Sequence, residues 1–383
     1  MKNICIIAGS FTDYQILKPL MAEIREDASA CLNVIFTEKY HTPQFSILHS
    51  HLEQDGFTME EKSDIALTAD GQYSLSYPVI FEQKEYDRLL KLIQPDIVVL
   101  SGNAYPTYLA AVYASLNQIP IAHIEGGISD AGTRDHSHEH GIARLSQLHF
   151  TSSEKYHRQI IKSGKHPETV FTVGSLLMKN IQKLSLPSRT AFFRSVQLEA
   201  DSPFLFISFE PDLTDESADE AIIDTILDTV CAKEFSDFKL IFSPQKTTGA
   251  GKIISRKIHA FAHANPEQTV ILPAKDLTDF GCAIKYCSAM ISNFFEGLVI
   301  AASFSKPVIN IGKDLKDALP NPISCRPDRN ALFYWLKKVL RDPFAMESRH
   351  ISEPFEKIVT ARTIKEKIQI FDLTDLPQKE YFQ

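Results

Sequence analysis

The residues with the most chemical potential lie in a few short runs. In residues 119–127, IPIAHIEGG, Glu125 stands directly ahead of Gly126 and Gly127. Adjacent glycines let a ligand approach the backbone closely beside a carboxylate. Ten positions further on, Asp135 opens the run DHSHEH that ends at His140. Glu125 and Asp135 together supply the two carboxyl groups that acid–base chemistry needs. If the second run is helical, His136 and His140 at i,i+4 share a face and could hold a transition metal. The polar start of a helix accounts for the same residues without one, and neither a metal nor a cofactor is assigned. Glu210, in Phe209-Glu210-Pro211, could serve as a base if desolvation raised its pKa, or could be an ordinary surface residue. The run TTGAGK at 247–252 looks like a phosphate-cradling turn but does not satisfy GxxxxGK[ST], so a plain loop and helix cap describes it better.

Such groups need a frame. Short apolar runs at 4–8, 32–36, 97–100 and 119–124 are followed by helical patterns at 14–24, 105–116 and 154–161. A second series runs through 204–209, 221–230, 240–242, 253–262, 270–272, 289–292 and 308–311. Strands alternating with helices predict parallel sheets covered on both faces. Residues 184–202, which include Pro187 and Ser188, read as the linker between two doubly wound halves facing one another across a central cleft. Residues 41–72 lack a clean period and read as an insertion or irregular loop, and the tail after Asp372 as a loose end. In such sheets ligands bind at the carboxyl ends of strands. That places Gly9, Ser10, Asp13, Asn103, Glu125, Gly126, Gly127, Glu210, Ser243, Asn293, Glu296 and Gly297 where a site would form.

Composition narrows the class. With 383 residues, 44% hydrophobic and 23% charged, the chain can build two or three ordinary globular cores. A net charge of -8 argues against nucleic acid as the main partner. Six cysteines without a CxxC pair fit a reducing compartment. The N-terminus lacks a signal-peptide pattern, and no run approaches the roughly 18 apolar residues that span a membrane. The expectation is a soluble, cytoplasmic protein.

The IPIAHIEGG run is joined by Gly132-Thr133, Asp135, His140, Leu145-Ser146 and Leu148-His149-Phe150. It is joined also by Ala8 to Ser10, Asp13-Tyr14, Lys18 to Leu20, and Pro307 to Gly312. In this order and spacing the chain resembles the UDP-N-acetylglucosamine 2-epimerase family over nearly all of residues 2–370, in particular the hydrolysing enzymes of sialic and legionaminic acid pathways. The resemblance implies a GT-B-like architecture of two Rossmann-type domains. These are residues 1–185 on the sugar side and 186–355 on the nucleotide side, with a last helix at 354–371 crossing back and a tail, together 356–383. It also implies a homodimer and a nucleotide-sugar ligand, from which hydrolysing members release UDP by anti-elimination, returning the free 2-epimer for nonulosonic-acid or surface-polysaccharide synthesis.

Glu125, Asp135 and His140 match the family's acidic residues and histidine, and Asp13 its acidic position near the first strand. Several polar positions depart from the pattern. Phe11 and Ala104 stand where arginines are expected, Asn103 replaces Asp, Glu139 replaces Arg, Arg144 replaces Lys and Glu210 replaces His. Phe294, Phe295 and Glu296 occupy the phosphate loop, Ile300 replaces its Glu, and Lys313 stands where an Arg is expected. Charge-assisted bonds lost in this way are worth about 1.5–3 kcal/mol each. The implied activity is therefore weighed against two alternatives: a non-catalytic member that binds a sugar, nucleotide or partner protein, and a GT-B glycosyltransferase.

Overall fold

The computed structural model describes residues 1–8, 11–36, 50–57, 77–128, 134–199, 201–210, 216–244, 251–272, 277–293, 295–312, 323–341 and 361–372. The chain divides into two compact units, Met1–Asn180 with Pro354–Gln383, and Ile181–Glu353.

The first unit is a six-stranded sheet of β1 (Lys2–Ala8), β2 (Ala30–Phe36), β3 (Ile97–Ser101), β4 (Ile121–Ile124), β5 (Leu148–Thr151) and β6 (Val170–Thr172). The order is β2-β1-β3-β4-β5-β6 and every pairing is parallel. Ile4 to Ala8 and all of β3 are buried, as expected of strands covered by helices on both faces. Cys5, Ile7, Val98, Leu100 and Ile121 form one core with Tyr86, Leu89 and Leu90 of helix Tyr77–Ile93 and Ala110 and Ala114 of helix Tyr105–Leu116. Helix Ala361–Ile370 also belongs here: Lys2 Nζ donates to the carbonyls of Ile368 (2.8 Å) and Phe371 (3.0 Å), capping its C-terminus with a cation.

The second unit repeats the plan with β7 (Phe204–Ser208), β8 (Lys239–Phe242), β9 (Thr269–Ile271), β10 (Ala289–Ser292), β11 (Val308–Ile311) and β12 (Ile323–Cys325). Its order is β12-β11-β10-β7-β8-β9, again all parallel. Leu205, Ile207, Ile291, Ile309 and Ile311 pack with helices Glu216–Val230 and Arg329–Arg341 through Ile223, Ile226, Leu332 and Leu336.

One expectation needs revision. The segment read as a linker contains helix Arg189–Ser195, capped by Ser188, whose Oγ accepts from the Ala191 N–H at 3.3 Å. Phe192 and Phe193 are buried against Phe204. Two consecutive phenylalanines anchor the helix, and polar composition hid them. Of the aperiodic stretch 41–72 only 50–57 is described; there 50–54 are helical, and Lys18 Nζ contacts Asp55 at 2.6 Å.

Candidate active site

In each sheet the strand order reverses at one point, between β1 and β3 in the first and between β7 and β10 in the second. The loops leaving the carboxyl ends of those strands open the crevice in which doubly wound sheets hold ligands.

At the first switch point Asp13 lies in the opening turn of helix Phe11–Arg25 and is buried. A Cβ on Gly102 would lie 3.7 Å from Asp13 Oδ1, so the carboxylate borders the loop after β3. Gly102 itself has φ +73°, a conformation glycine takes without strain. Asn103 Nδ2 donates to the Ile128 carbonyl at 2.9 Å, joining this loop to the one after β4. His123, wholly buried in β4, places Nε2 2.8 Å from the Gly102 carbonyl. That nitrogen must carry the proton, leaving Nδ1 as a bare lone pair, and burial pushes the imidazole down to about 4. The ring lies under Gly126, where an added Cβ would come within 2.8 Å of Nδ1.

The turn after β4 is the centre of the site. Glu125 has φ +58° and Gly127 φ +87°. A left-handed conformation costs a non-glycine residue roughly 1–2 kcal/mol, so the turn must be held by its surroundings. The Glu125 N–H donates to the Phe150 carbonyl at 2.7 Å. Its buried carboxylate reaches the start of helix Leu176–Lys183, where Oε1 accepts from Ser175 Oγ at 2.9 Å and from the Leu176 N–H at 3.1 Å. Ser175 is at the same time the cap of that helix, its Oγ accepting from the Met178 N–H at 3.2 Å. Burial pushes the Glu125 carboxyl up, and Ser175 with the N–H groups of Leu177 and Leu176 pulls it part of the way back. The net effect is upward, because burial is the largest of these influences. The same helix is tied to Gln15 in the first helix, because Asn180 Nδ2 donates to the Gln15 carbonyl.

Helix Arg134–Leu145 carries the next candidates. His140 is exposed, whereas the neighbouring Glu139 is buried and accepts from the Gly127 N–H at 2.5 Å. Burial pushes Glu139 up to about 8, against the pull of that N–H. The backbone of Asp135 lies in this helix; its side chain and that of His136 are outside the described residues, as are Gly9 and Ser10.

At the second switch point Asn293 Oδ1 accepts from the Glu210 N–H at 2.7 Å, and its Nδ2 donates to the Glu210 carbonyl at 2.6 Å. The carboxamide thus copies a backbone partner and prolongs the β7–β10 pairing by one step. Glu210 is exposed, and Ser243 is buried after β8, its N–H on the Ile207 carbonyl at 2.9 Å. Gly297 lies in the first turn of helix Phe295–Ser303, and Ile300, where the resemblance expects a carboxylate, is packed in the core. Phe294 and Lys313, and the side chains of Phe295 and Glu296, lie outside the described residues. No group of three metal-ligating side chains occurs among the described residues, and no helix among them is long and apolar enough to cross a membrane.

The structure therefore places Asp13 and Asn103 at the first switch point and Glu125, Gly126 and Gly127 on the adjoining loop after β4, with Glu210, Asn293, Ser243 and Gly297 around the other switch point. Sequence reasoning did not find His123, Ser175 or the inward turn of Glu139. A Ser after Gly174 at the start of a helical run is a capping signal that could have drawn attention to Ser175; nothing local marks Glu139.

Two all-parallel Rossmann-type halves, each with polar groups at its switch point, define an α/β protein of GT-B-like fold. The chain belongs to the UDP-N-acetylglucosamine 2-epimerase family, whose sequence profile matches residues 22–369. It is 25% identical to a GDP/UDP-N,N'-diacetylbacillosamine 2-epimerase (hydrolyzing) of Campylobacter jejuni, over 83% of this chain and 82% of that one. It is 26% identical to the polysialic acid biosynthesis protein P7 of Escherichia coli, over 99% and 98% of the two chains. Among solved structures, the UDP-GlcNAc 2-epimerase from Neisseria meningitidis bound to UDP-GlcNAc superposes with a TM-score of 0.82 at 16% identity, covering 97% of this chain and all of that one. An S. aureus MnaA–UDP co-structure gives 0.80 at 18% identity and complete coverage of both.

Proposed function

We propose that the chain hydrolyses a UDP-linked, N-acetylated amino sugar with inversion at C2, releasing UDP and the free 2-epimer. The observation that carries this reading is Glu125, a buried carboxyl raised by its surroundings and set on a Gly126–Gly127 turn. A carboxylate removes the C2 proton, the C1–O bond to the diphosphate breaks, and its electron pair leaves with UDP. Water then adds to the resulting C1=C2 double bond, hydroxyl to C1 and hydrogen to the opposite face of C2, so that one water is consumed per UDP released. Glu125 and Asp135 serve as acid and base, with His140 and Glu210 assisting. Asp13, Asn103, Gly126 and Gly127 border the sugar, with Gly9 and Ser10; Ser243, Asn293, Glu296, Gly297 and Lys313 take the nucleotide side. We assign the protein to the cytoplasm as a homodimer, as the family resemblance implies.

The test is incubation of the purified protein with UDP-GlcNAc and with UDP-N,N'-diacetylbacillosamine in D2O, followed by NMR. Release of UDP together with a free sugar deuterated at C2 is the expected result. UDP binding without turnover of either sugar would refute hydrolysis. It would favour a non-catalytic nucleotide-binding member, a reading supported by Ile300 being packed in the core and by the Glu210 N–H being spent on Asn293 rather than open to a phosphate.

A further inference from the structure

Glu139 takes no part in the chemistry proposed above, and on sequence it registers only as a missing arginine. In the structure it lies on the inner face of helix Arg134–Leu145 and is 3% exposed. Its Oε1 accepts from the Gly127 N–H, and its Oε2 is buried with no hydrogen-bond partner among the described residues. A carboxyl in that position bears on the one turn that carries Glu125.

The turn needs such support. It takes a left-handed conformation at Glu125 as well as at Gly127, and a strained backbone persists only where its surroundings over-determine it. Three of those surroundings are backbone or packing contacts. The Glu125 N–H is held by the Phe150 carbonyl at 2.7 Å, the His123 ring lies beneath Gly126, and Tyr156 lies so close to Gly127 that an added Cβ would meet it at 3.0 Å. Among the described residues, Glu139 supplies the one side-chain hydrogen bond to the turn's backbone.

We infer that Glu139 is a positioning residue for Glu125, fixing the carboxyl-bearing turn from the neighbouring helix through the Gly127 N–H. The inference rests on the hydrolytic reading of the site. Burial pushes the Glu139 carboxyl up to about 8, and the contact itself asks only for an acceptor oxygen that reaches the Gly127 N–H. What the role requires is therefore reach and an acceptor, not an ionised carboxylate. Gln preserves both, while Asp preserves the carboxyl and is one methylene too short.

That distinction supplies the test, made on the full-length protein. Steady-state UDP release is measured for wild type, Glu139→Gln and Glu139→Asp below their unfolding midpoints, with hydrogen–deuterium exchange of the peptide spanning 125–127. Because misplacing a reacting group costs up to about 100-fold, kcat of Glu139→Asp is expected to fall at least about tenfold with KM within about threefold of wild type, while Glu139→Gln stays within about threefold in both. Exchange at 125–127 should quicken at least about tenfold in Glu139→Asp and stay near wild type in Glu139→Gln. A Gln variant as inactive as the Asp variant, or more so, would overturn the inference in favour of carboxyl chemistry. Wild-type rates in both variants would overturn it as well. If the wild type releases no UDP from either sugar, the hydrolytic reading fails by itself; exchange then decides the positioning contact, and equal exchange in all three proteins refutes it.

Discussion

In a Gly126→Ala protein the added Cβ would lie 2.8 Å from His123 Nδ1 and 3.2 Å from its Cε1, whereas real Cβ atoms essentially never come within 3.0 Å of another heavy atom. The ring has little freedom to yield. It is fully buried, its Nε2 is anchored 2.8 Å from the Gly102 carbonyl, and its backbone is in register with buried His149 of the next strand. Either the ring gives up that hydrogen bond, worth about 0.5–1.5 kcal/mol, or the turn carrying Glu125 shifts. Overpacking of this kind costs about 1–3 kcal/mol. For a cooperative unit of this size each kcal/mol moves the midpoint by about 2–4 °C, so a fall of roughly 2–12 °C is expected. The assay is thermal unfolding followed by circular dichroism, run as a cycle with His123→Ala. Once the ring is gone the methyl group has room, and Gly126→Ala in that background should cost less than about 0.5 kcal/mol. An alanine that costs the same with and without the imidazole, or costs nothing in the wild-type background, would refute the steric account of why this glycine follows Glu125.

Further outcomes follow from the same geometry. Glu125→Gln keeps an acceptor for Ser175 and Leu176 but cannot exchange a proton, so UDP release should fall by about 10²–10⁴ while calorimetric UDP affinity stays unchanged; an undiminished rate would remove Glu125 from the chemistry. Ser175→Ala removes both the helix cap and the hydroxyl that pulls the Glu125 carboxyl down. It should cost about 1 kcal/mol of stability and move the carboxyl limb of the rate–pH profile upward. Because burial pushes the folded His123 imidazole down to about 4 from its usual 6.5, the unfolded chain takes up the proton first as pH falls. Urea unfolding should accordingly show a loss of up to roughly 3 kcal/mol between pH 6.5 and 4 that disappears in His123→Ala. Glu139 has the opposite sign, its folded value near 8 lying above the usual 4.5. Its contribution is complete below pH 4.5 and is lost progressively as pH rises from there to about 8, so wild type should lose stability across that window and Glu139→Gln should show a shallower decline there, with no difference in slope above pH 8.

Much of the fold was legible in the chain. Unbroken apolar runs such as Ile4 to Ala8, Ile97 to Leu100 and Ala289 to Ile291 became buried parallel strands, because strands covered on both faces need no polar alternation. The family was legible in the ordered spacing of HIEGG, Asp135, His140 and the later strand–loop runs, and Glu125 stood out as the carboxylate ahead of two glycines. Helix Arg189–Ser195 was missed because prolines and serines around it outweighed the two phenylalanines that anchor it.

By itself, then, the sequence determined two doubly wound halves, the family, and the turn on which Glu125 sits, since each depends on local periodicity and motif spacing. Only the tertiary structure decided what the carboxyl groups meet. Glu125 ends on Ser175 fifty residues away, and the Asn293 amide takes up the Glu210 backbone 83 residues away. Glu139 and His140, adjacent in sequence, divide into a buried acid and an exposed imidazole. Partners at such separations, and the desolvation that moves Glu139 to about 8 and His123 to about 4, exist only once the sheet and its helices have closed around them.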